Sequence, residues 1–296
     1  MYEDYYGLKG DPFRISPDGR DSFEHSSYRK ARSYLEYAFF RGEGTVLITG
    51  QPGTGKTTLI KSVARNLPKT DIDLTVFSCE KLDADGLIRR YASELDVHVD
   101  RDDVGSLLVG IGKRLLELNR QGTKSVLALD EAQSLTIDAL EQARLLTNYQ
   151  VNDKQLLQVV LLGQPELRDK ILSPSLVQLH QRITSSSTLT VLNQSETRDY
   201  FIHQLNSVDW NGNPDLHEDI FKIIHRASAG IPRWINQIGS RVMLHCMIEE
   251  KNEITASDVR KVVVDLVDEY LLPTSVRTEQ IRIVAGGGSG LLDSEF

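Results

Sequence analysis

The eight residues Gly50-Gln51-Pro52-Gly53-Thr54-Gly55-Lys56-Thr57 follow the pattern G-x-x-x-x-G-K-[ST], and this stretch restricts the possible folds more than any other in the chain. Its setting matters as much as its letters. The apolar, β-prone run Thr45-Val46-Leu47-Ile48-Thr49 leads in, and the helix-compatible run Thr58-Leu59-Ile60-Lys61-Ser62-Val63-Ala64-Arg65 leads out. Strand, glycine-rich loop and helix in that order make a phosphate-binding loop. The glycines let the backbone wrap a phosphate and take positive φ where required. Exposed N–H groups of Gly50 to Thr58 and the positive end of the following helix then face the anion. Lys56 is expected to reach the β- and γ-phosphates of a nucleotide, and the Thr57 hydroxyl to ligate Mg²⁺.

Hydrolysis needs a second element. Ser125-Val126-Leu127-Ala128-Leu129 is a near-continuous apolar run that ends in Asp130-Glu131. Such a run suits a central parallel strand covered on both faces. Its acids then fall at the carboxyl end of the sheet, where open α/β folds hold ligands. Asp130 is expected to hold Mg²⁺ through its water shell, and Glu131 to orient and polarise an attacking water. The structural alternative is an Asp-Glu pair capping the helix that starts near Leu135.

At 296 residues the chain has room for one large domain or two modest ones. The net charge of −8 argues against tight, sequence-independent DNA binding, which relies on Lys and Arg neutralising phosphates. Cys79 and Cys246 lack metal or redox spacing and read as reduced core thiols of a cytoplasmic protein. The acidic N-terminus, Met1-Tyr2-Glu3-Asp4-Tyr5, carries no apolar leader, and no run approaches the ~18 apolar residues that span a bilayer. Work at a membrane would therefore go through a partner. His180 and His203 have no carboxylate or cysteine at ligand spacing and are read as non-catalytic.

Along the chain, strands near 45–49, 74–78, 125–131, 158–163 and 187–192 alternate with helical runs. This predicts parallel βαβ units in an α/β domain over residues 1–192. Helices are expected from Ser26 or Ser27 to about Phe40, from Asp83 to near Leu95, over Val104–Arg120, and over Ile137–Tyr149. From Asn193 the texture turns helical without strand-like runs, predicting a small all-helical lid over 193–272. Residues 273–296, with Gly286-Gly287-Gly288-Ser289-Gly290, are expected to be a flexible tail.

A P-loop α/β domain followed by a helical lid resembles the AAA+ ATPases. Shorter signatures narrow the resemblance to the ExeA/GspA-type secretion ATPases: Tyr6-Gly7-Leu8, Pro12-Phe13 and Ser16-Pro17-Asp18; Tyr37 and Gly42-Glu43-Gly44; Leu161-Leu162-Gly163-Gln164-Pro165-Glu166-Leu167; Gln181-Arg182-Ile183; and Gly230-Ile231-Pro232-Arg233-Trp234-Ile235-Asn236. The resemblance covers roughly residues 1–270. It is nearest to the branch that accompanies exosortase and exopolysaccharide export, since the membrane helix and peptidoglycan-binding region of the longer proteins have no counterpart here.

The resemblance implies ATP and Mg²⁺ as ligands and further site residues. Arg182 is similar to an arginine finger supplied to a neighbouring subunit; the alternative is a surface arginine at a helix C-terminus. Arg233 is similar to a second sensor reaching the γ-phosphate, while Pro232 beside it is also good chemistry for a helix start. Gln164 stands where a first sensor stands. Phe13, Ile15, Ile231 and Pro232 are candidates for an adenine pocket, with plain core packing the alternative for Phe13.

The implied function is Mg-dependent ATP hydrolysis by a homo-oligomer. It would energise or regulate a bacterial envelope process through a membrane-associated protein partner. Two other classes stand beside it. One is a DNA-directed regulator akin to the transposition ATPases, against which the acidic charge weighs; the other is a slow nucleotide-dependent scaffold.

Overall fold

The computed structural model describes residues 1–14, 22–66, 72–99 and 103–272. Ile15, the Ser16-Pro17-Asp18 motif and the glycine-rich tail lie outside these residues. The chain divides into two compact units: an α/β unit over residues 22–190, and a helical unit formed by residues 1–14 with 191–272.

The first helix, α1 (Tyr2–Tyr6), belongs to the helical unit. The α/β unit then runs α2 (Ser26–Arg41), β1 (Thr45–Gly50), α3 (Lys56–Asn66), β2 (Ile72–Ser78), α4 (Ala84–Glu94), α5 (Val104–Arg120), β3 (Lys124–Asp130) and α6 (Ile137–Leu146). A two-residue hairpin follows, β4 (Gln150–Val151) with β5 (Lys154–Gln155), and then β6 (Leu157–Gly163), α7 (Pro165–Ile171), α8 (Val177–Gln181) and β7 (Ile183–Leu189). The expected cap at Asp83 is observed, two further side-chain caps join it, and the cap expected at Ser26 or Ser27 falls instead on His25, which makes no side-chain cap bond. Asp83 accepts from the Gly86 N–H, Asp103 from the Ser106 N–H and Thr136 from the Ala139 N–H.

The five long strands form one parallel sheet in the order β2-β3-β6-β1-β7. Side chains alternate between its faces. Val46 and Ile48, Val126 and Ala128, and Val160 and Leu162 pack with Leu35 and Phe39 of α2 and Leu59, Ile60 and Val63 of α3. Leu47, Leu127, Leu129, Val159 and Leu161 meet α4 to α8 on the other side. Each such side chain contributes roughly 1.5–3 kcal/mol by leaving water. Two-sided burial explains why the central strands read as unbroken apolar runs. β7 differs from the expectation near 187–192: it starts four residues earlier. It lies at the sheet edge, is rich in Ser and Thr, and buries only Ser187 and Leu189, so its apolar signal is weak.

The helical unit adds α9 (Gln194–Asn206), β8 (Asp215–Leu216), α10 (Ile220–Ser228), α11 (Pro232–Ile248), β9 (Glu253–Ile254) and α12 (Ala256–Asp268). Contrary to the strand-free expectation, β8 and β9 pair in a short parallel bridge. The N-terminal segment also departs from the expected 1–192 boundary, because it is anchored in this unit. Tyr6 Oη donates to the Lys251 carbonyl at 3.0 Å, the Lys9 N–H to the Val208 carbonyl at 2.9 Å, and Asn236 Nδ2 to the Arg14 carbonyl at 2.9 Å. Tyr2, Tyr6, Leu8 and Phe13 are buried.

Both thiols are buried and unbridged, and burial pushes each up to about 12, with the charge of Asp130 adding to the effect at Cys79. No helix among the described residues is long and apolar enough to cross a membrane.

Thr255 caps α12 in a capping box with Asp258, whose carboxylate also takes Lys251 Nζ at 2.6 Å. Burial pushes the Asp258 carboxyl up, but the bonds from Lys251 and Thr255 more than reverse it, so the group lies below the usual carboxylate range. A depressed folded-state pKa stabilises at neutral pH, and that stabilisation is lost as pH falls through it. Asp258→Asn should therefore lower unfolding free energy at pH 7 by roughly 1–3 kcal/mol. In urea titrations the gap to the parent should close as the pH drops below about 4.

Candidate functional site

Strand order builds the site. β3, β6 and β1 are neighbours, so their carboxyl ends deliver Asp130-Glu131, Gln164 and the Gly50–Thr57 loop side by side. Gly50 ends β1 where a Cβ would lie 2.7 Å from the Leu189 carbonyl oxygen and 2.8 Å from Thr54 Oγ1, so only glycine fits. Gly53 and Gly55 then turn the chain with φ of 82° and 93°. Thr54 is buried and its hydroxyl donates to the Gln51 carbonyl at 2.8 Å, which braces the loop from within. Gln51 and Pro52 are exposed at the tip.

Lys56 opens α3 and is only 5% exposed. Its ammonium donates to the carbonyls of Gly50 at 3.0 Å and Gln51 at 3.2 Å. The cation is thus held inside the loop, against the N-terminus of an eleven-residue helix. Thr57 and Thr58 follow in the first turn, both half-buried.

The Thr57 hydroxyl donates to Asp130 Oδ2, in a short hydrogen bond that joins the loop to the end of β3. Asp130 Oδ1 accepts from the Glu131 N–H at 2.9 Å, and the Asp130 carbonyl from the Cys79 N–H at 2.8 Å. A hydroxyl and a carboxylate side by side are the hard oxygen donors Mg²⁺ takes, alongside water and substrate phosphates. Among the described residues no group of three or more His, Cys, Asp or Glu could hold a metal ion.

Glu131 sits in the left-handed region, φ 53° and ψ 37°, a strained position for a non-glycine residue that redirects the chain into a 3-10 turn, Ala132–Ser134. Its Oε2 accepts from Gln133 Nε2 at 2.5 Å and from Gln164 Nε2 at 3.2 Å. Gln133 Oε1 in turn accepts from the Gln164 N–H at 3.1 Å. The expected first-sensor residue therefore touches the expected water-polarising residue. Gln133 was missed by the sequence reading; its only signal was its place two residues after Glu131, ahead of a turn.

Arg182 lies elsewhere in the same unit. It caps α8 and precedes β7, its carbonyl accepts from the Thr45 N–H at 2.9 Å, and its exposed guanidinium reaches Asn148 Oδ1 at 3.5 Å. Thr45 starts β1 and Gly50 ends it, so Arg182 and the loop lie at opposite ends of the strands, about 17–20 Å apart along β1 at ~3.3 Å per residue.

The remaining candidates belong to the helical unit. Ile231 caps α11, Pro232 is its first residue, and Arg233 is exposed on its first turn. Gly230 before them has φ 70°, and a Cβ there would lie 2.0 Å from the Leu192 carbonyl oxygen. Phe13 is 1% exposed, its ring 4.6 Å from that of Phe201 and pressed on Gly239. That is the packing alternative rather than an adenine-facing position.

Residues 40–171 match the AAA domain family. The stretch contains the loop, Asp130, Glu131 and Gln164, and the parallel sheet with flanking helices is an AAA-type P-loop fold. Beyond the AAA domain, the chain is 35% identical over 260 residues to general secretion pathway protein A of Aeromonas hydrophila. The match takes in 88% of this chain and 47% of the relative. Among solved structures, Cdc6p from Pyrobaculum aerophilum aligns with a TM-score of 0.66 and 18% identity, over 86% of this chain and 70% of its own. ORC1 of Aeropyrum pernix, solved in complex with DNA, aligns at 0.67 and 17% over 93% and 75%. The Thermotoga maritima RuvB Holliday junction branch migration motor aligns at 0.56 and 23% over 88% and 77%. At these identities the structures share the fold alone.

Removing the enclosed cation should leave the loop folded, because Thr54 and the glycines hold it. Lys56→Ala should weaken ATP by roughly 10–100-fold, the ~1.5–3 kcal/mol of a charge-assisted bond. Titration with a fluorescent ATP analogue reads this, with an unchanged melting temperature as the control.

Proposed function

We propose that the chain is a Mg-dependent ATPase of the ExeA/GspA type whose turnover depends on neighbouring copies. The observation that carries the reading is the hydrogen bond from Thr57 to Asp130, with Glu131 next in the chain. It supports reading Thr57 and Asp130 as a metal-binding pair and Glu131 as a water-polarising carboxylate beside a phosphate loop. Lys56 and the loop amides would bind the triphosphate, and Thr57 with Asp130 would hold Mg²⁺. When bound, the ion neutralises charge on the β- and γ-phosphates. Glu131, fixed by its two glutamine neighbours, would orient and polarise a water for in-line attack. The water oxygen bonds to the γ-phosphorus as its bond to the bridging oxygen breaks, giving ADP and phosphate.

Arg182 would stabilise the transition state from a neighbouring subunit. Its place at the end of the strands opposite the loop of its own chain favours this reading, since no side chain spans about 17–20 Å. Arg233, on the first turn of α11, would act as the second sensor, with Ile231 and Pro232 on the adenine side.

Likeness to the Aeromonas general secretion pathway protein A supports a role in secretion, and the sequence resemblance extends the proposal to exopolysaccharide export or another bacterial envelope process. The chain would act in the cytoplasm and reach the inner membrane through a protein partner. Within that family, the chain would belong to the exosortase- and exopolysaccharide-associated branch.

Glu131→Gln should bind ATP as the parent does and hydrolyse it roughly 10²–10⁴-fold more slowly, the usual worth of a positioned base. Parental turnover in this variant would overturn the role given to Glu131. Arg182→Ala should keep its affinity and lose roughly 10³-fold or more in rate. Mixed with Lys56→Ala, it should regain part of that rate at concentrations where the copies associate. If the mixture stays inactive under those conditions, the finger does not act between subunits.

A further inference from the structure

We propose that Gln133 is a positioning residue for hydrolysis, locking the Glu131 carboxylate to Gln164 so that the ends of β3 and β6 move as one. The proposal rests on the reading of Glu131 as the water-polarising residue. The Gln133 amide is used at both ends: its Nε2 donates to Glu131 Oε2 at 2.5 Å and its Oε1 accepts from the Gln164 N–H at 3.1 Å. Only one orientation of the amide satisfies both partners. Turned over, its oxygen would face a carboxylate and its NH₂ would face an N–H, which decides an assignment that atomic positions alone leave open.

The backbone of Gln133 is held as firmly as its side chain. Lys170 of α7 donates its ammonium to the carbonyls of Gln133, at 3.0 Å, and Leu135. This fixes the 3-10 turn to the helix that follows Gln164. The space for the amide is also reserved, because a Cβ on Gly163 would lie 2.7 Å from Gln133 Oε1. Gln164 completes the ring by donating to the same Glu131 oxygen at 3.2 Å. Glu131 needs such support. It stands in a left-handed turn at the end of a strand, and a carboxylate on three rotatable bonds would otherwise sample several directions. Precise aim is where much of a positioned base's rate advantage comes from.

None of these groups belongs to the phosphate loop. The prediction is therefore a split between binding and turnover. Gln133→Ala should lower kcat by roughly 10–100-fold, the usual loss when a group that orients a reactive side chain is removed, with Kd for ATP unchanged. Gln133→Glu keeps the size and the acceptor but replaces the N–H with a like charge facing Glu131. It should be at least as slow as Gln133→Ala, whereas a residue that only filled space would tolerate it. On the Glu131→Gln background, Gln133→Ala should add no further loss. Independent, multiplying losses, or a kcat at the parental level, would overturn the proposal.

A second readout needs no hydrolysis. The side-chain amide signals of Gln133 and Gln164 in a ¹⁵N spectrum, assigned by substitution, should both shift in Glu131→Gln. If the parent chain fails to turn over ATP, the ATPase reading falls and these spectra decide the linkage alone. Shifted signals support it, and unmoved signals overturn it.

Discussion

The hydrogen bond from Thr57 to Asp130 joins two chain segments that leave the sheet two strands apart, with β6 between them. At about 4.8 Å per strand, the gap is bridged by the arch of the loop that carries the chain from β1 into α3, whose second residue is Thr57. The arch is possible because Gly50 has no side chain to meet the Leu189 carbonyl and because Gly53 and Gly55 accept positive φ. If β1 were not buried between β6 and β7, its end would not be fixed in place and the bond would have nothing firm to close on. On the proposed reading, phosphate loop, metal pair and water-polarising carboxylate are in this sense one construction, held by the order of five parallel strands.

Much of that construction was legible from sequence because its parts are local. The loop is contiguous, the strands that carry it are apolar on both faces, and Asp130-Glu131 directly ends one of them. Gln133 was not legible, because its importance arises from three things a sequence does not display. These are the left-handed turn at Glu131, the strand order that brings β6 beside β3, and the empty Cβ position at Gly163. The first fourteen residues were misassigned for a similar reason. Tyr6 and Phe13 precede the α/β unit in the chain, yet their partners, Lys251 for Tyr6 and Phe201 and Gly239 for Phe13, come some two hundred residues later. Proximity in sequence suggested one neighbour, and apolar burial chose another. β7 slid because an edge strand of Ser and Thr carries little apolar signal for a periodicity to find.

The loop and the glutamine network differ in what holds them, and this has a functional consequence. On the proposed scheme the loop would bind nucleotide mainly through backbone groups and one enclosed ammonium, so most exposed side chains near it would vary without altering affinity. Glu131, Gln133 and Gln164 depend instead on side-chain amides whose geometry tolerates little displacement. Affinity and rate are thereby assigned to separate parts of one strand-end cluster. Sequence drift at positions 133 or 164 could tune the rate while leaving nucleotide occupancy unchanged.

The position of Arg182 makes a separate demand. A guanidinium at the start of β7 faces away from the loop of its own chain, across the length of the sheet, so a complete site on the proposed scheme requires a second surface. Oligomerisation then becomes part of the chemistry rather than a way of storing it. The acidic surface, net −8, opposes such association at low salt, and screening relieves that opposition. Rate per chain in this scheme should rise with protein concentration, and should do so at lower concentrations as salt is raised toward physiological strength. A monomeric catalyst would show neither dependence.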